Sequence, residues 1–192
     1  MAARIKGASL INTIGILREV LGVARFQEIV ALCPPPTQNL IRRTLIAVEW
    51  VALDQWAPFV QTIFEYICRK DEHQFRRLMR AVCKRDFSTL YRSYIAQTSP
   101  QGVLEKSSTI WSSYFDSGSL VLAPVEPGQD PLQPILQMRD LETSYPVYAM
   151  TMHAYLEQLM IMTGAQRCTI RRAHEQLENN KLSCDYIINL GT

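Results

Sequence analysis

The spacing of apolar residues changes once along this chain, and that change decides its fold class. The switch falls in residues 98–122. Ser99 and Pro100 open a helix, with a hydroxyl at the cap and proline where no amide hydrogen bond is needed. Val103, Ser107, Ile110, Trp111 and Tyr114 then recur at helical spacing. Gly118 supplies the left-handed residue that ends a helix, and Leu120 to Val125 reads as a strand. Upstream the spacing is that of helices. Downstream it alternates, with one further helix.

Upstream, Leu10, Ile14, Leu17 and Leu21 form one amphipathic face closed by Gly22. Phe26, Ile29, Val30 and Cys33 continue on a second helix, which Pro34, Pro35 and Pro36 stop. Thr37 is expected to cap a third helix carrying Leu40, Ile41, Leu45 and Val48. Asp54 is expected to cap a fourth, with Phe59, Ile63, Phe64 and Ile67 facing the core. A long helix from about Glu72 to residue 96 places Phe75, Leu78, Met79, Val82, Cys83, Leu90, Tyr94 and Ile95 inside, and its length leaves room for a break near Asp86.

Downstream, Pro124, Pro127, Gly128, Pro131 and Pro134 punctuate a loop, and Leu132 to Arg139 reads as a second strand. Pro146 opens a helix with Tyr148, Met152, Tyr155, Leu156, Leu159 and Met160 inside, ending near Gly164. Gln166 to Glu175 and Leu182 to Leu190 alternate as strands, joined by a turn through Asn179 and Asn180, residues that tolerate positive φ. The expected class is α+β: an N-terminal helical layer on a twisted antiparallel sheet of four strands, with the C-terminal half ordered strand, strand, helix, strand, strand. At 192 residues this makes a single domain, residues 1–97 mostly helical and 98–192 mixed.

Charge and cysteine content narrow the function. A net charge of +2 argues against nucleic acid as partner. Arg76, Arg77, Arg80 and Lys84 form the one basic cluster, read as a solvated face or a docking patch for an acidic partner. Five cysteines without close C-x-x-C spacing point to free thiols in a reducing, cytoplasmic compartment. No run reads as a membrane span or a signal peptide. His73, His153 and His174 are scattered, and the common nucleophile, phosphate-loop and zinc motifs are missing, so no enzyme, metal or cofactor is expected. Glu49 and Asp54 flank Trp50, and an N-cap and a buried ion pair explain them better than acid–base chemistry. Met138, Met150, Met152, Met160 and Met162 cluster in the C-terminal half, as core filler or as the lining of an adaptable apolar groove.

Five segments occur together in order: Leu17 to Gly22, Glu49-Trp50, Ser99-Pro100, Ile110 to Gly118, and Cys184 to Ile188. The series resembles an uncharacterised paralogous family expanded in myxobacteria and their relatives. The C-terminal half also looks like the fold shared by 4-vinyl reductase domains, TRAPP subunits and haem-NO-binding proteins. This resemblance implies a helical layer on a twisted antiparallel sheet, dimerisation, and a role in sensing or tethering. The departures bear on cofactors. Zinc-holding relatives use several cysteines, which Cys184 lacks nearby, and haem-binding relatives carry Tyr-x-Ser-x-Arg, which Tyr91-Arg92-Ser93-Tyr94 does not match. Neither zinc nor haem carries over.

The expected function is therefore a non-enzymatic protein-interaction or regulatory module of a bacterial signalling or polarity system, a homodimer with a protein partner. The alternative is a sensor with a small apolar ligand held between helices and sheet. The residues expected at that pocket or interface are Trp111, Tyr114, Met138, Met152, Met160, Cys184 and Tyr186. Leu182, Cys184, Tyr186 and Ile188 alternate on one face of the last strand, aimed at the helices of 100–115 and 146–163.

Overall fold

The computed structural model describes residues 3–89, 92–96, 98–124 and 133–191. The chain starts with β1 (Arg4–Lys6), a strand of three residues that ties the two halves together. It pairs antiparallel with β2 (Trp50–Ala52), and Ile5 also bridges to Phe115. The Arg4 backbone N–H donates to Asp116 Oδ1 at 2.6 Å, and the Arg4 side chain pairs with the same carboxylate. Strands this short carry no visible alternation, and their pairing is non-local, so the sequence shows neither β1 nor β2.

Next comes α1 (Gly7–Ala31), broken as expected at Gly22, where φ is +74° and ψ is 162°. Its length and hydropathy reach those of a membrane span, contrary to the sequence expectation. Leu10, Leu17, Phe26, Ile29 and Val30 nevertheless pack into the core. The third helix, α2 (Pro35–Arg42), is shorter than expected. Thr37 lies inside it, buried, rather than at its cap. Arg43 turns extended, and Glu49 then holds the loop, accepting from the Arg43 guanidinium and from the Ile46 amide at 2.7 Å. Leu45 and Val48 therefore sit in a loop, and Val48 is exposed.

α3 (Leu53–Thr62) follows β2 directly, so Asp54 sits exposed in its first turn instead of capping it, and the ion pair of Glu49 is the partly exposed one with Arg43. A π-helical turn over Ile63–Ile67 leads on to α4 (Glu72–Thr89). The helix passes through Asp86 without a break, and a short α5 (Arg92–Ile95) follows. Leu90, Tyr91 and the side chains of Ser93 and Tyr94 lie outside the described residues.

At the corner, the Ser99 hydroxyl accepts from the Gly102 amide at 3.1 Å and opens α6 (Pro100–Glu105). Lys106 interrupts the helix, and α7 (Ser107–Tyr114) continues. The helix ends at Phe115, which turns extended to meet β1, so Gly118 makes the turn into β3 (Ser119–Leu122) and not the helix end itself. The remaining elements are β4 (Ile135–Glu142), α8 (Val147–Met162), β5 (Arg167–Glu178) and β6 (Lys181–Gly191). The loop centre at 125–132, with the start expected for β4, lies outside the described residues. Asn179 and Asn180 have φ of 51° and 60°, the positive values a tight hairpin needs.

The sheet order is β3-β4-β6-β5, antiparallel throughout. Because β6 fills the slot beside β4, α8 must carry the chain across to the far edge, and it covers one face on the way. The Tyr186 hydroxyl of β6 donates to the Ala149 carbonyl of α8 at 3.1 Å, so the predicted alternation does face this helix. Asp140 and His174, both at positive φ, sit where the registers of β4 and β5 shift against β6. The architecture is α+β, with N-terminal helices on a four-stranded antiparallel sheet, as the sequence predicts. One continuous apolar core runs from Ala3 to Ile188.

Candidate ligand cavity

α7 and α8 each turn a stripe with helical spacing toward the same point. From α7 come Ser107, Ile110, Trp111 and Tyr114; from α8 come Tyr148, Thr151, Met152, Tyr155, Leu156 and Leu159. These are i, i+3, i+4, i+7 sets, the residues of one helix face. The N-terminal half closes the space with Ile5 of β1, Ser9 and Thr13 of α1, Trp56 and Val60 of α3, and Met79 and Phe87 of α4. The result is a cavity of about 50 Å³ with a mainly apolar wall, at the junction of the helical layer and the C-terminal half.

Aromatic rings fix its shape. Trp111 stacks on Phe115 with centroids 4.6 Å apart, and its indole N–H donates to the Ser117 carbonyl at 2.9 Å. Tyr148 meets Phe115 edge-on at 6.1 Å, and Tyr114 meets Tyr155 in the same way at 6.1 Å. Such edge contacts are favourable beyond the area they bury.

One polar network lies behind the wall. Asp86 of α4 is 1% exposed. Its carboxylate accepts from Asn12 Nδ2 at 2.5 Å and from the Tyr155 hydroxyl at 2.8 Å. Ser9 Oγ lies 3.4 Å from the same phenol oxygen. Burial raises the Asp86 carboxyl to about 7, against the opposing pull of the hydrogen bonds from Asn12, Tyr155 and Ser9. Burial likewise pushes the Tyr155 and Tyr148 phenols well above the usual tyrosine value, so both stay protonated. The Tyr148 hydroxyl has no hydrogen-bond partner among the described residues.

The structure divides the residues that the sequence grouped. Trp111, Tyr114 and Met152 line the cavity. Met138, Met160, Cys184 and Tyr186 are fully buried elsewhere in the core, with the Tyr186 hydroxyl directed to Ala149 and 3.8 Å from Met138 Sδ. Burial pushes the Cys184 thiol up to about 11, which marks a packing residue and not a nucleophile. The five cysteines are all free.

The basic cluster is divided too. Arg76 Nη1 lies 3.0 Å from His153 Nε2 and 3.4 Å from Glu157, and Arg80 Nε donates to Gln158 at 3.4 Å. Both arginines are committed to α8, while Arg77 and Lys84 are exposed. Among the described residues, no group of three or more His, Cys, Asp or Glu side chains is placed to hold a metal ion. Sequence reasoning missed Ile5, Ser9, Thr13, Trp56 and Val60, whose part depends on how the halves dock. For Ser9 and Thr13 one signal was available: two small hydroxyl residues at i and i+4 on the buried face of α1.

No family model and no curated protein matches the chain. Solved structures do. A Cs H-NOX variant carrying 4-cyano-L-phenylalanine is 13% identical with a TM-score of 0.70, the match covering 97% of each chain. An oxygen-binding H-NOX domain related to soluble guanylate cyclases, in its oxygen complex, is 12% identical with a TM-score of 0.66, covering 97% of this chain and 95% of that one. A T. Tengcongensis H-NOX variant is 12% identical with a TM-score of 0.65, covering 97% and 98%. Over nearly its whole length, then, the chain has an H-NOX-like fold.

Proposed function

We propose that this protein is a non-enzymatic sensor module that holds a small apolar molecule in the cavity where its N-terminal helices meet α7 and α8. The observation that carries this is the convergence of β1, α1, α3, α4, α7 and α8 on one apolar void. An occupant there touches both halves of the chain, so its presence changes how they pack, and that is what a sensor needs. The fold neighbours support the reading, one of them being described as an oxygen-binding domain. The protein-interaction reading has less behind it, because Arg76 and Arg80 are turned onto α8.

Haem is the group the fold suggests, and the residues do not fit it. An apolar void of about 150 Å³ holds one benzene. The cavity here is about 50 Å³, and a porphyrin is several times larger than benzene. Among the described residues its wall contains no histidine, cysteine or carboxylate. The Tyr148 and Tyr155 phenols are held protonated by burial, which opposes their use as phenolate ligands.

Xenon tests the reading, since it enters dry apolar voids without needing a polar partner. The ¹²⁹Xe resonance should shift and broaden with the parent protein, and the methyl signals of Met152 and Leu156 should move. Val60→Leu, which adds a methylene to the wall, should remove both effects. A parent protein without any xenon response would refute the proposal.

A further inference from the structure

Tyr148 enters the cavity wall from the first turn of α8 and is 3% exposed, yet its hydroxyl meets no partner among the described residues. Three neighbouring hydroxyls are committed. Tyr155 donates to Asp86, Thr13 to the Ser9 carbonyl at 2.8 Å, and Thr151 to the Val147 carbonyl at 3.0 Å. The ring of Tyr148 packs edge-on against Phe115, and phenylalanine would make that contact equally well. The hydroxyl therefore adds nothing to the packing, while a buried O–H without an acceptor carries a desolvation cost. Burial keeps the phenol protonated, so its O–H is a donor that calls for an acceptor. A trapped water needs two to four polar partners, which this largely apolar wall supplies poorly. Among the described residues no lysine or arginine lines the cavity, so an anionic occupant would lack a counter-charge there.

We propose that the cavity ligand is a neutral molecule of a few heavy atoms carrying one hydrogen-bond acceptor, such as a carbonyl or ether oxygen, and that the Tyr148 hydroxyl donates to it. This rests on the sensor reading and specifies the chemistry of the same site. The volume of about 50 Å³ sets the size, the apolar wall sets the body of the molecule, and Tyr148 sets the acceptor.

Acetone and 2-methylpropene test this, because they share a shape and differ in carrying an oxygen or a methylene. Each is titrated into the parent and into Tyr148→Phe, with the wall methyl groups followed by NMR. Loss of one neutral hydrogen bond should weaken acetone about 3- to 10-fold in the variant and leave 2-methylpropene unchanged. In the parent, the Tyr148 ¹³Cζ resonance should move with acetone and not with 2-methylpropene, a readout that does not need the variant to fold. If 2-methylpropene binds while acetone has equal affinity for both proteins and leaves the Tyr148 resonance still, the acceptor inference fails and the sensor reading stands. A long-lived water on the Tyr148 hydroxyl that acetone does not displace also overturns it. If neither probe binds the parent, both proposals fall.

Discussion

At the scale of the residue, Asp86 is the most consequential side chain beside the cavity. It joins α4 to Asn12 of α1 and to Tyr155 of α8, and among the described residues it is buried without a cationic partner. Its carboxyl rises from an ordinary value of 3.8 to about 7 on folding. The folded protein therefore holds a proton that the unfolded chain has released, and stability falls as pH rises between these values. The contribution is complete below pH 3.8, is lost through about pH 7, and is level above that. A shift of this size corresponds to about 4 kcal/mol at most. Glu49, lowered by its Arg43 hydrogen bond, and Asp71, lowered by the Gln74 amide, act oppositely but only near and below pH 4.5. Between pH 5 and 7.5 the melting temperature should fall as pH rises, and Asp86→Asn should flatten that slope. A parent protein whose melting temperature rises through that window would show Asp86 to be ionised and well accommodated. The sequence marks position 86 only as a suspected helix break. Its role depends on Asn12 and Tyr155, which are distant along the chain.

Elements were legible in proportion to how local their causes are. The Ser99 cap, the Gly22 break and the Asn179-Asn180 hairpin rest on the chemistry of one or two residues and are found where the spacing puts them. α2 and α3 were misjudged at their ends because a tertiary loop held by Glu49, and strand β2, override local propensity. Two glycines at positive φ separate backbone strain from crowding. At Gly22, with φ of +74°, a Cβ would meet nothing within 4 Å. At Gly118, with φ of +65°, it would lie 2.7 Å from the Arg139 carbonyl oxygen and 2.8 Å from the Leu141 amide nitrogen of β4. Gly22→Ala should cost about 1–3 kcal/mol, the strain of a backbone region open essentially to glycine alone. Gly118→Ala should cost clearly more, because the turn must also move away from β4. Urea denaturation of the two variants measures the difference, and equal costs would mean that the turn into β3 yields freely.

At the scale of the whole molecule, the question is whether the helical half stands without the sheet. The stripe of α7 and much of that of α8 could be read from the sequence, so part of the cavity wall was visible. What lies opposite could not be read, because Ile5, Ser9, Thr13, Trp56 and Val60 join the wall only when the two halves dock. The same docking makes a single core. Ile5 bridges to Phe115, Arg4 pairs with Asp116, Cys83 Sγ reaches the Tyr155 carbonyl at 3.5 Å, and Arg172 of β5 pairs with Glu72 of α4 at 2.8 Å. Phe75, Met79, Val82, Cys83 and Phe87 present a buried face on α4, and α8 supplies much of what covers it. A fragment ending at residue 97 would expose that face to water, at roughly 25 cal/mol for each Å² of apolar area uncovered. The protein is therefore expected to unfold in one transition, with far-ultraviolet circular dichroism and tryptophan fluorescence coincident, since Trp56 reports on the helical half and Trp111 on the corner. The 1–97 fragment should lack cooperative melting. Two separated transitions, or a 1–97 fragment with dispersed amide signals, would show that the helical layer folds on its own. In that case the cavity would be a joint between two independently stable parts rather than a void inside one core.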